Sequence, residues 1–540
     1  MFSKQSRAGI GFGVLSLCSL WTVQASGAEK AADWPNWRGA NRDCIVADDK
    51  THIAIWTNTG PLKIWESPAI PSADEGGLGS VVVAGDRVYL FATPKIVEPL
   101  ATRTLSKNDL RNKFGWSPVR LPADLCKVVE AARVSPERAV LKQNEVGDWV
   151  KTNMVLLVTT DEERKKYGQV VSDRLSRGTN ALSLEVLGKL ATMADRSFTN
   201  QVALEQWFDE NQIEAPVRKM VCNAIPTSTA RAEDTIYCLN AADGMIVWKR
   251  SYPGVVRGWG GCCTPCVADG RVYVLGSDSM LYCLNAKDGA DVWTARPSGG
   301  ERHGSFIIVD GLAIVEDGSL MAFDAAKGTP VWTCPAANAN NNTPTPWVKD
   351  GKTYLICNSE RQVSCVDLAG KVLWSAPGGS SSTAAVNGDS LVIFSGRQLL
   401  GYRMSLDKVE PLWRVDVNGD RGASPLISKN HVFLAENGRT LCLNLEDGKI
   451  LWDGKPDAWE YSSVVWADNK LVLVGHDSLS LVDAGTEKFE LLAKIKMPVA
   501  ECATPAFANG RMYLRLHKAV ACFDVSQSAP PDKPVSTPAK

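Results

Sequence analysis

Along residues 232–524 the chain alternates apolar and polar positions in short runs, broken by Asp-Gly and other Gly-containing pairs. Cys266-Val267-Ala268-Asp269-Gly270-Arg271-Val272-Tyr273-Val274 is the simplest example, reading as strand, turn, strand. A period of two buries one face of each strand. The Asp-Gly pair predicts a tight hairpin, because Gly takes φ > 0 without steric cost. Leu281 to Leu284 gives a third strand, Lys287-Asp288-Gly289 a turn, and Val292-Trp293 a fourth strand.

The unit recurs. Leu239-Asn240-Ala241-Ala242-Asp243-Gly244 leads to Trp248, Leu284-Asn285-Ala286-Lys287-Asp288-Gly289 to Trp293, and Phe323-Asp324-Ala325-Ala326-Lys327-Gly328 to Trp332. Val366-Asp367 to Trp374, Met404-Ser405 to Trp413 and Leu443-Asn444 to Trp452 continue the series, and the tryptophans step by 45, 39, 42, 39 and 39 residues. Such a period, at four short strands per unit, is the signature of propeller blades. A Trp wedged between blades buries about 150–250 Å², roughly 4–6 kcal/mol gross. The series therefore reads as core rather than as a cofactor platform.

The two ends set the blade count. After Trp452 a weaker unit runs from Ser462 through Leu481 and Asp483 to Leu491, with Leu where Trp is expected. A last unit starts at Thr504-Pro505 and stops at Cys522-Phe523-Asp524 without its fourth strand. Leu62-Lys63-Ile64-Trp65-Glu66, ahead of the first hairpin from Ser80 to Phe91, supplies that strand and removes an exposed edge. The expected fold is all-β: an eight-bladed β-propeller with an N-terminal strand closing the last blade. Seven blades follow if one weak unit is misread.

One stretch breaks the pattern. The partner of the strand ending at Phe91 is Thr235 to Leu239, and the residues between them have helical periodicity. Thr160-Asp161-Glu162-Glu163 matches a capping box opening a helix to about Leu175. Leu182 to Met193 and Val202 to Phe208 carry apolar residues at three- and four-residue spacing. An α-helical insertion in blade one is expected, outside the ring and free to carry partner specificity. The expected order is a signal peptide at 1–28, a lead-in at 29–61 and the closing strand with half of blade one at 62–95. The insertion at 96–231, the remaining blades at 232–524 and a disordered Pro-rich tail at 525–540 follow.

Composition narrows the function. With 59 Lys+Arg against 60 Asp+Glu, the net charge of −1 offers no excess to neutralise phosphates, which argues against nucleic acid as the partner. Lys4 and Arg7 precede an apolar run from Ile10 to Val23, and small residues follow at Ala25 and Ala28, as in a secretion signal. The alternative is an uncleaved anchor, although the run is shorter than the ~20 residues of a membrane span. No later stretch is apolar enough to cross a bilayer, so a periplasmic or secreted location is expected. Fifteen cysteines in an exported chain suggest disulfides. However, Cys238, Cys283, Cys365, Cys442 and Cys522 share one repeat position with Ala322, which marks a small apolar slot.

The Asn/Asp-Ala-x-x-Gly-x-x-x-Trp units resemble the pyrroloquinoline-quinone (PQQ)-like β-propeller repeat family, over roughly residues 62–95 and 232–524. That family includes quinoprotein alcohol dehydrogenases and an outer-membrane assembly lipoprotein. Trp34-Pro35-Asn36-Trp37-Arg38-Gly39-Ala40-Asn41-Arg42 also resembles the opening of exported members. The repeat speaks for fold rather than activity. A convincing lipobox is missing, since Cys18 lies within the apolar run and precedes Ser19.

Function in a propeller sits where loops converge on the axis, here the segments after each Trp strand. They supply the ligand-binding candidates Arg257, Trp259, Cys262, Cys263, Arg302, His303, Asn341, Arg421, Trp459, Tyr461 and Glu501. An unknown protein or small ligand is expected at this mouth. Cys262-Cys263 resembles the vicinal disulfide that lies against the quinone in PQQ-dependent dehydrogenases. The opposing reading takes Ser462-Ser463 and Ser381-Ser382 as the same slot, so that two small residues suffice. A dehydrogenase would also need PQQ with Ca²⁺, and Glu301, Asn341 and Glu501 offer oxygens of the right kind. No motif assigns a metal ligand or catalytic base, and no haem-binding Cys-x-x-Cys-His occurs. The expected function is a non-catalytic binding or scaffold module, with a PQQ-dependent alcohol or sugar dehydrogenase as the alternative.

Overall fold

The alternating runs are β-strands in the computed structural model, which describes residues 33–47, 50–256, 261–297, 304–338, 341–418, 422–459, 461–500 and 502–530. The chain divides into two units, Met1–Lys95 with Ala232–Lys540, and Ile96–Arg231. Among the described residues no helix is long and apolar enough to cross a membrane. The signal sequence and the end of the tail lie outside the described residues.

The first unit is a β-propeller fold of antiparallel four-stranded sheets, eight among the described residues, numbered by their first strands Val82–Ala84, Cys266–Ala268, Ile307–Val309, Thr345–Lys349, Ala385–Asn387, Leu426–Ser428, Val465–Ala467 and Ala506–Ala508. In the second sheet Cys266–Ala268, Arg271–Leu275, Leu281–Asn285 and Asp291–Ala295 pair in chain order. Asp269 and Gly270 turn its first hairpin at φ 49° and 71°, the left-handed backbone that Asp and Gly tolerate best. First strands of neighbouring sheets lie side by side, as Val82–Ala84 does with Cys266–Ala268 and with Ala506–Ala508.

Seven tryptophans make the seams. Trp65, Trp248, Trp293, Trp332, Trp374, Trp413 and Trp452 each donate the indole N–H to a backbone carbonyl in the next sheet, at 2.7–3.1 Å. The ring lies close on the turn it reaches; a Cβ on Gly328 would stand 2.5 Å from Trp293. Across the strand pair each of these tryptophans faces a small residue: Cys522, Cys238, Cys283, Ala322, Cys365, Gly401 and Cys442 in turn. A Cβ on Gly401 would lie 2.1 Å from the Trp413 ring, which is why the slot admits nothing large. The cysteines in it are buried thiols.

Two sequence expectations need correction here. In the seventh sheet the residue at the Trp position is Ala493, not Leu491, and it faces Leu481. Ala493 follows Leu481 by 12 positions, whereas Trp452 follows Cys442 by 10, so spacing along the chain misplaced the slot. The final strand also continues past Asp524 to Ser528 instead of passing directly into a disordered tail. Pro61–Glu66 pairs antiparallel with it as far as Ser528, and the Ala529 N–H reaches the Gly60 carbonyl at 2.8 Å. Backbone pairing of this kind does not depend on the polar side chains that made the segment read as coil.

The second unit is helical. Its longest helix, Asp161–Arg177, starts at a complete capping box between Thr160 and Glu163. One apolar cluster joins Lys107–Phe114, Leu184–Met193, Gln201–Glu210 and Ala215–Ala224, and a second joins Ala123–Arg133, Val146–Leu157 and Asp161–Arg177. In the second group buried Arg174 grips Glu130 through two bonds of 2.7 Å, and Arg133 shares the same carboxylate. The bidentate pairing keeps a buried charge from being left alone.

Candidate functional site

The crossings from one sheet to the next carry a Ser or Thr just before each first strand, and these hydroxyls close a circle. The Ser80 N–H donates to Thr264 Oγ1, Thr264 to Ser305, Ser305 to Thr343 and Thr343 to Thr383, at 2.9–3.1 Å. Thr383 then donates to Ser424, Ser424 to Ser463, Ser463 to Thr504, and Thr504 back to Ser80, at 2.9–3.3 Å. All eight residues are buried. Crossing backbones have no ladder partner there, and the hydroxyl supplies the acceptor that burial demands. The belt also corrects the sequence register. Cys262-Cys263 corresponds to Ser381-Ser382 and to Tyr461-Ser462, not to Ser462-Ser463.

Inside the belt runs the chain's own N-terminal segment. Trp34 exchanges two backbone bonds of 2.9 Å with Val83, and the Pro35 carbonyl accepts from the Val267 N–H at 2.8 Å. Arg42 reaches the Phe306 carbonyl at 3.3 Å and Asn36 Oδ1 at 2.8 Å, while Arg38 reaches the Pro425 carbonyl at 2.6 Å. Cys44 and Val46 then bond with the Trp466 backbone, and Trp34 packs edge-on against Phe507. These contacts touch the first, second, third, sixth, seventh and eighth sheets at or beside their innermost strands. Trp34, Arg38 and Cys44 are 4%, 1% and 0% exposed, so these three side chains are packed against the inner strands, while Ala40 and Asn41 stay exposed.

The candidate residues fall into three groups. Arg257, Trp259, Arg302, His303, Arg421 and Glu501, with Glu301, lie outside the described residues. Cys263 is buried within its sheet, donating from Sγ to the Thr264 carbonyl and accepting from the Leu275 N–H. Cys262 is partly exposed, and both residues are thiols. Burial pushes the Cys263 thiol up to about 12, and Cys262 likewise, with the Arg515 charge pulling against it. Neither is a thiolate near neutrality.

Asn341, Trp459 and Tyr461 form the third group. Asn341 is exposed, whereas its neighbour Asn342 is buried and donates to the carbonyls of Asn358, Ser380 and Ser382. Trp459 and Tyr461 come together with ring centres 5.7 Å apart, and His476 stands edge-on to Trp459 at 3.8 Å. The His476 Nδ1 pairs with Asp457 at 3.2 Å, and Lys494 and Ser478 share the same carboxylate at 3.1 Å. His476 escaped sequence reasoning because it sits in a second-to-third-strand turn, not in a crossing segment. The signal was available in Gly475-His476-Asp477, where the other sheets carry turns at the same edge.

Arg515 organises the same edge of the eighth sheet. It is 1% exposed and donates to Ser72 Oγ and to the carbonyls of Gly79, Phe91, Pro71 and Gly76, at 2.7–3.3 Å. Burial alone lowers its guanidinium to about 10. Four of its five bonds fix the 71–79 crossing, and the fifth ties it to the Phe91 carbonyl.

Repeated four-stranded sheets, tryptophan seams and small facing slots define a β-propeller of PQQ-like repeats. The chain belongs to the family described as outer membrane protein assembly factor BamB, whose profile matches residues 226–409 and 403–529, together more than half of the chain. Similar solved structures include BamB from Moraxella catarrhalis, at 16% identity over 54% of this chain and 88% of that one, TM-score 0.45. Another is quinohemoprotein alcohol dehydrogenase from Comamonas testosteroni, at 12% identity over 56% of this chain and 74% of that one, TM-score 0.43. No curated protein matches the chain.

Proposed function

We propose that the chain is an envelope-located, eight-bladed propeller, closed by its N-terminal strand, that binds a protein partner at the mouth and performs no chemistry. Residues 96–231 form an insertion in the first blade that adds to partner choice. The closed circle of eight Ser and Thr hydroxyls supports the blade count and the closure. The family's description as a membrane-protein assembly factor supports a protein partner and an envelope location.

One observation carries the non-catalytic reading: Trp34–Val46 lies against the innermost strands of six of the eight sheets, with Trp34, Arg38 and Cys44 buried there. In a propeller the axial space is where a cofactor would bind. What favours the dehydrogenase alternative is Cys262-Cys263, but the residues do not fit the group. The Cys263 sulfur is committed to Thr264 and Leu275 inside its own sheet. Among the described residues no three His, Cys, Asp or Glu stand together as a cation site.

The partner-contacting residues are Trp459 and Tyr461, with Asn341 and Cys262 on two other crossings; Arg257, Trp259, Arg302, His303, Arg421 and Glu501 complete the set. Aromatic side chains with a polar edge dominate protein interfaces, which favours the Trp459–Tyr461–His476 group as the anchor. The test is a photo-crosslinking amino acid in place of Tyr461 in the full chain, in its native envelope. A discrete protein adduct that weakens on Trp459→Ala is expected. Equal labelling from position 461 and from Val331 on an outer strand contradicts the reading.

A further inference from the structure

Basic side chains gather at the mouth edge, where second strands turn into third strands. Arg296 pairs there with Asp278 at 2.5 Å, Arg439 with Asp453 at 2.7 Å, His476 with Asp457 at 3.2 Å and His517 with Asp477 at 3.2 Å. Arg361 and Arg397, in the turns of the fourth and fifth sheets, have no such carboxylate. Both are exposed, and among the described residues neither forms an ion pair or a side-chain hydrogen bond. Glu360 precedes Arg361 in its turn, and Asp416 accepts the Gln398 side-chain amide at 2.9 Å, but neither carboxylate pairs with the two guanidiniums.

The two arginines flank one crossing. Gly379, between the fourth sheet and the fifth, has φ 120°, and a Cβ there would stand 2.3 Å from the Glu360 carbonyl oxygen and 2.9 Å from the Arg361 Cα. On its other side the Gly396 N–H donates to the Gly379 carbonyl at 3.2 Å, and Arg397 follows directly. Between the arginines runs a strip of small residues, Gly378-Gly379-Ser380-Ser381-Ser382. The strip is already fixed. The Ser380 N–H donates to the Ser359 carbonyl at 3.1 Å, the Gly379 N–H to Asn358 Oδ1 at 3.3 Å, and Asn342 Nδ2 to the Ser380 carbonyl at 3.0 Å. A backbone bonded in advance does not have to be ordered on binding.

We propose that Arg361 and Arg397 form an oxyanion clamp that takes a carboxylate from an acidic segment of the protein partner. Two like charges held over one strip repel each other, and a shared carboxylate removes that repulsion while accepting paired hydrogen bonds. Two arginines are too few to track a nucleic-acid backbone, and the chain as a whole has a net charge of −1. The assignment rests on the mouth being a partner surface and adds the chemistry of that partner: an anion at the fourth-to-fifth crossing, with the aromatic anchor of Trp459 and Tyr461 at the sixth-to-seventh.

The probe is fluorescein-labelled hexaglutamate, titrated against the purified full-length chain and followed by fluorescence anisotropy at low salt. We expect saturable binding that weakens about tenfold in Arg361→Ala and again in Arg397→Ala. Arg361→Lys keeps the charge but not the paired geometry, and about a threefold loss is expected. Arg403→Ala, at the far end of the strand that follows Arg397, should change binding by less than about twofold. All three arginines are exposed, so the variants should keep the wild-type thermal midpoint. No binding, binding undiminished in the double variant Arg361→Ala/Arg397→Ala, or an equal loss in Arg403→Ala overturns the proposal. So does displacement by inorganic phosphate at the same concentrations as by unlabelled hexaglutamate, which would make the clamp a small-anion site. Because the probe replaces the natural partner, this readout is independent of the position-461 adduct that tests the partner surface itself.

Discussion

Leu481 faces Ala493 in the seventh sheet, reversing the small-residue-to-tryptophan pair of every other sheet. The missing indole comes from elsewhere. Trp56, 4% exposed in the N-terminal lead-in, donates its N–H to the Val525 carbonyl at 3.1 Å, the repeat equivalent of the carbonyls the seam tryptophans reach. It shares one apolar cluster with Leu481, Ala493 and Ile495. The lead-in thus packs along the inner strands and replaces a seam residue.

Trp56→Ala should therefore cost about 3–5 kcal/mol, as for a buried core tryptophan, although the residue lies outside every repeat. Denaturant midpoints with an unchanged m-value would check it. A loss below about 0.5 kcal/mol would mean that the seventh seam closes without the lead-in.

The hydroxyl belt predicts an effect of position, not of residue type. Ser463→Ala leaves the buried Ser424 N–H without its acceptor, and a loss of about 1–3 kcal/mol is expected. Exposed Ser526→Ala, which forfeits only an exposed bond to Asp524, should cost less than about 0.5 kcal/mol.

Arg515→Lys should destabilise by upwards of about 3 kcal/mol, because one ammonium cannot reach five acceptors and a buried carbonyl left unmet is expensive. Thermal unfolding of the two chains checks this. The loss should be accompanied by faster proteolysis within 71–79.

Glu316 gives a pH signature of its own. It is 1% exposed, and burial pushes its carboxyl from 4.5 up to about 8. With the folded value raised, its contribution is present below the unfolded value and is lost as pH rises through about 8. Wild-type stability should fall between about pH 4.5 and about pH 8, and Glu316→Gln should flatten that fall.

Much of the fold was legible because Trp248, Trp293, Trp332, Trp374, Trp413 and Trp452 each answer to the same local demand: a large ring that bonds the next sheet's turn and lies across from a small slot. Where two changes compensate in space, as Leu481 with Ala493, spacing misled. Trp56 was invisible because its role depends on a contact with Val525 across the whole chain. The buried cysteines were correctly read as packing residues. The mouth was only half legible: Trp459 and Tyr461 do meet, yet their companions His476 and Asp457 belong to a turn and to the stretch before the crossing. Thr264, Ser305 and Ser463 looked like generic small residues, since a hydroxyl's use as an acceptor for the next sheet leaves no periodic mark of its own.

The central claim is that the N-terminal segment packed along the inner strands leaves a binding module and not a quinoprotein. Its most direct test is equilibrium titration of the purified full-length chain with PQQ and Ca²⁺, followed by quinone absorbance. The account predicts no saturable binding and no change on Cys262→Ser. Saturable binding that Cys262→Ser abolishes would contradict it.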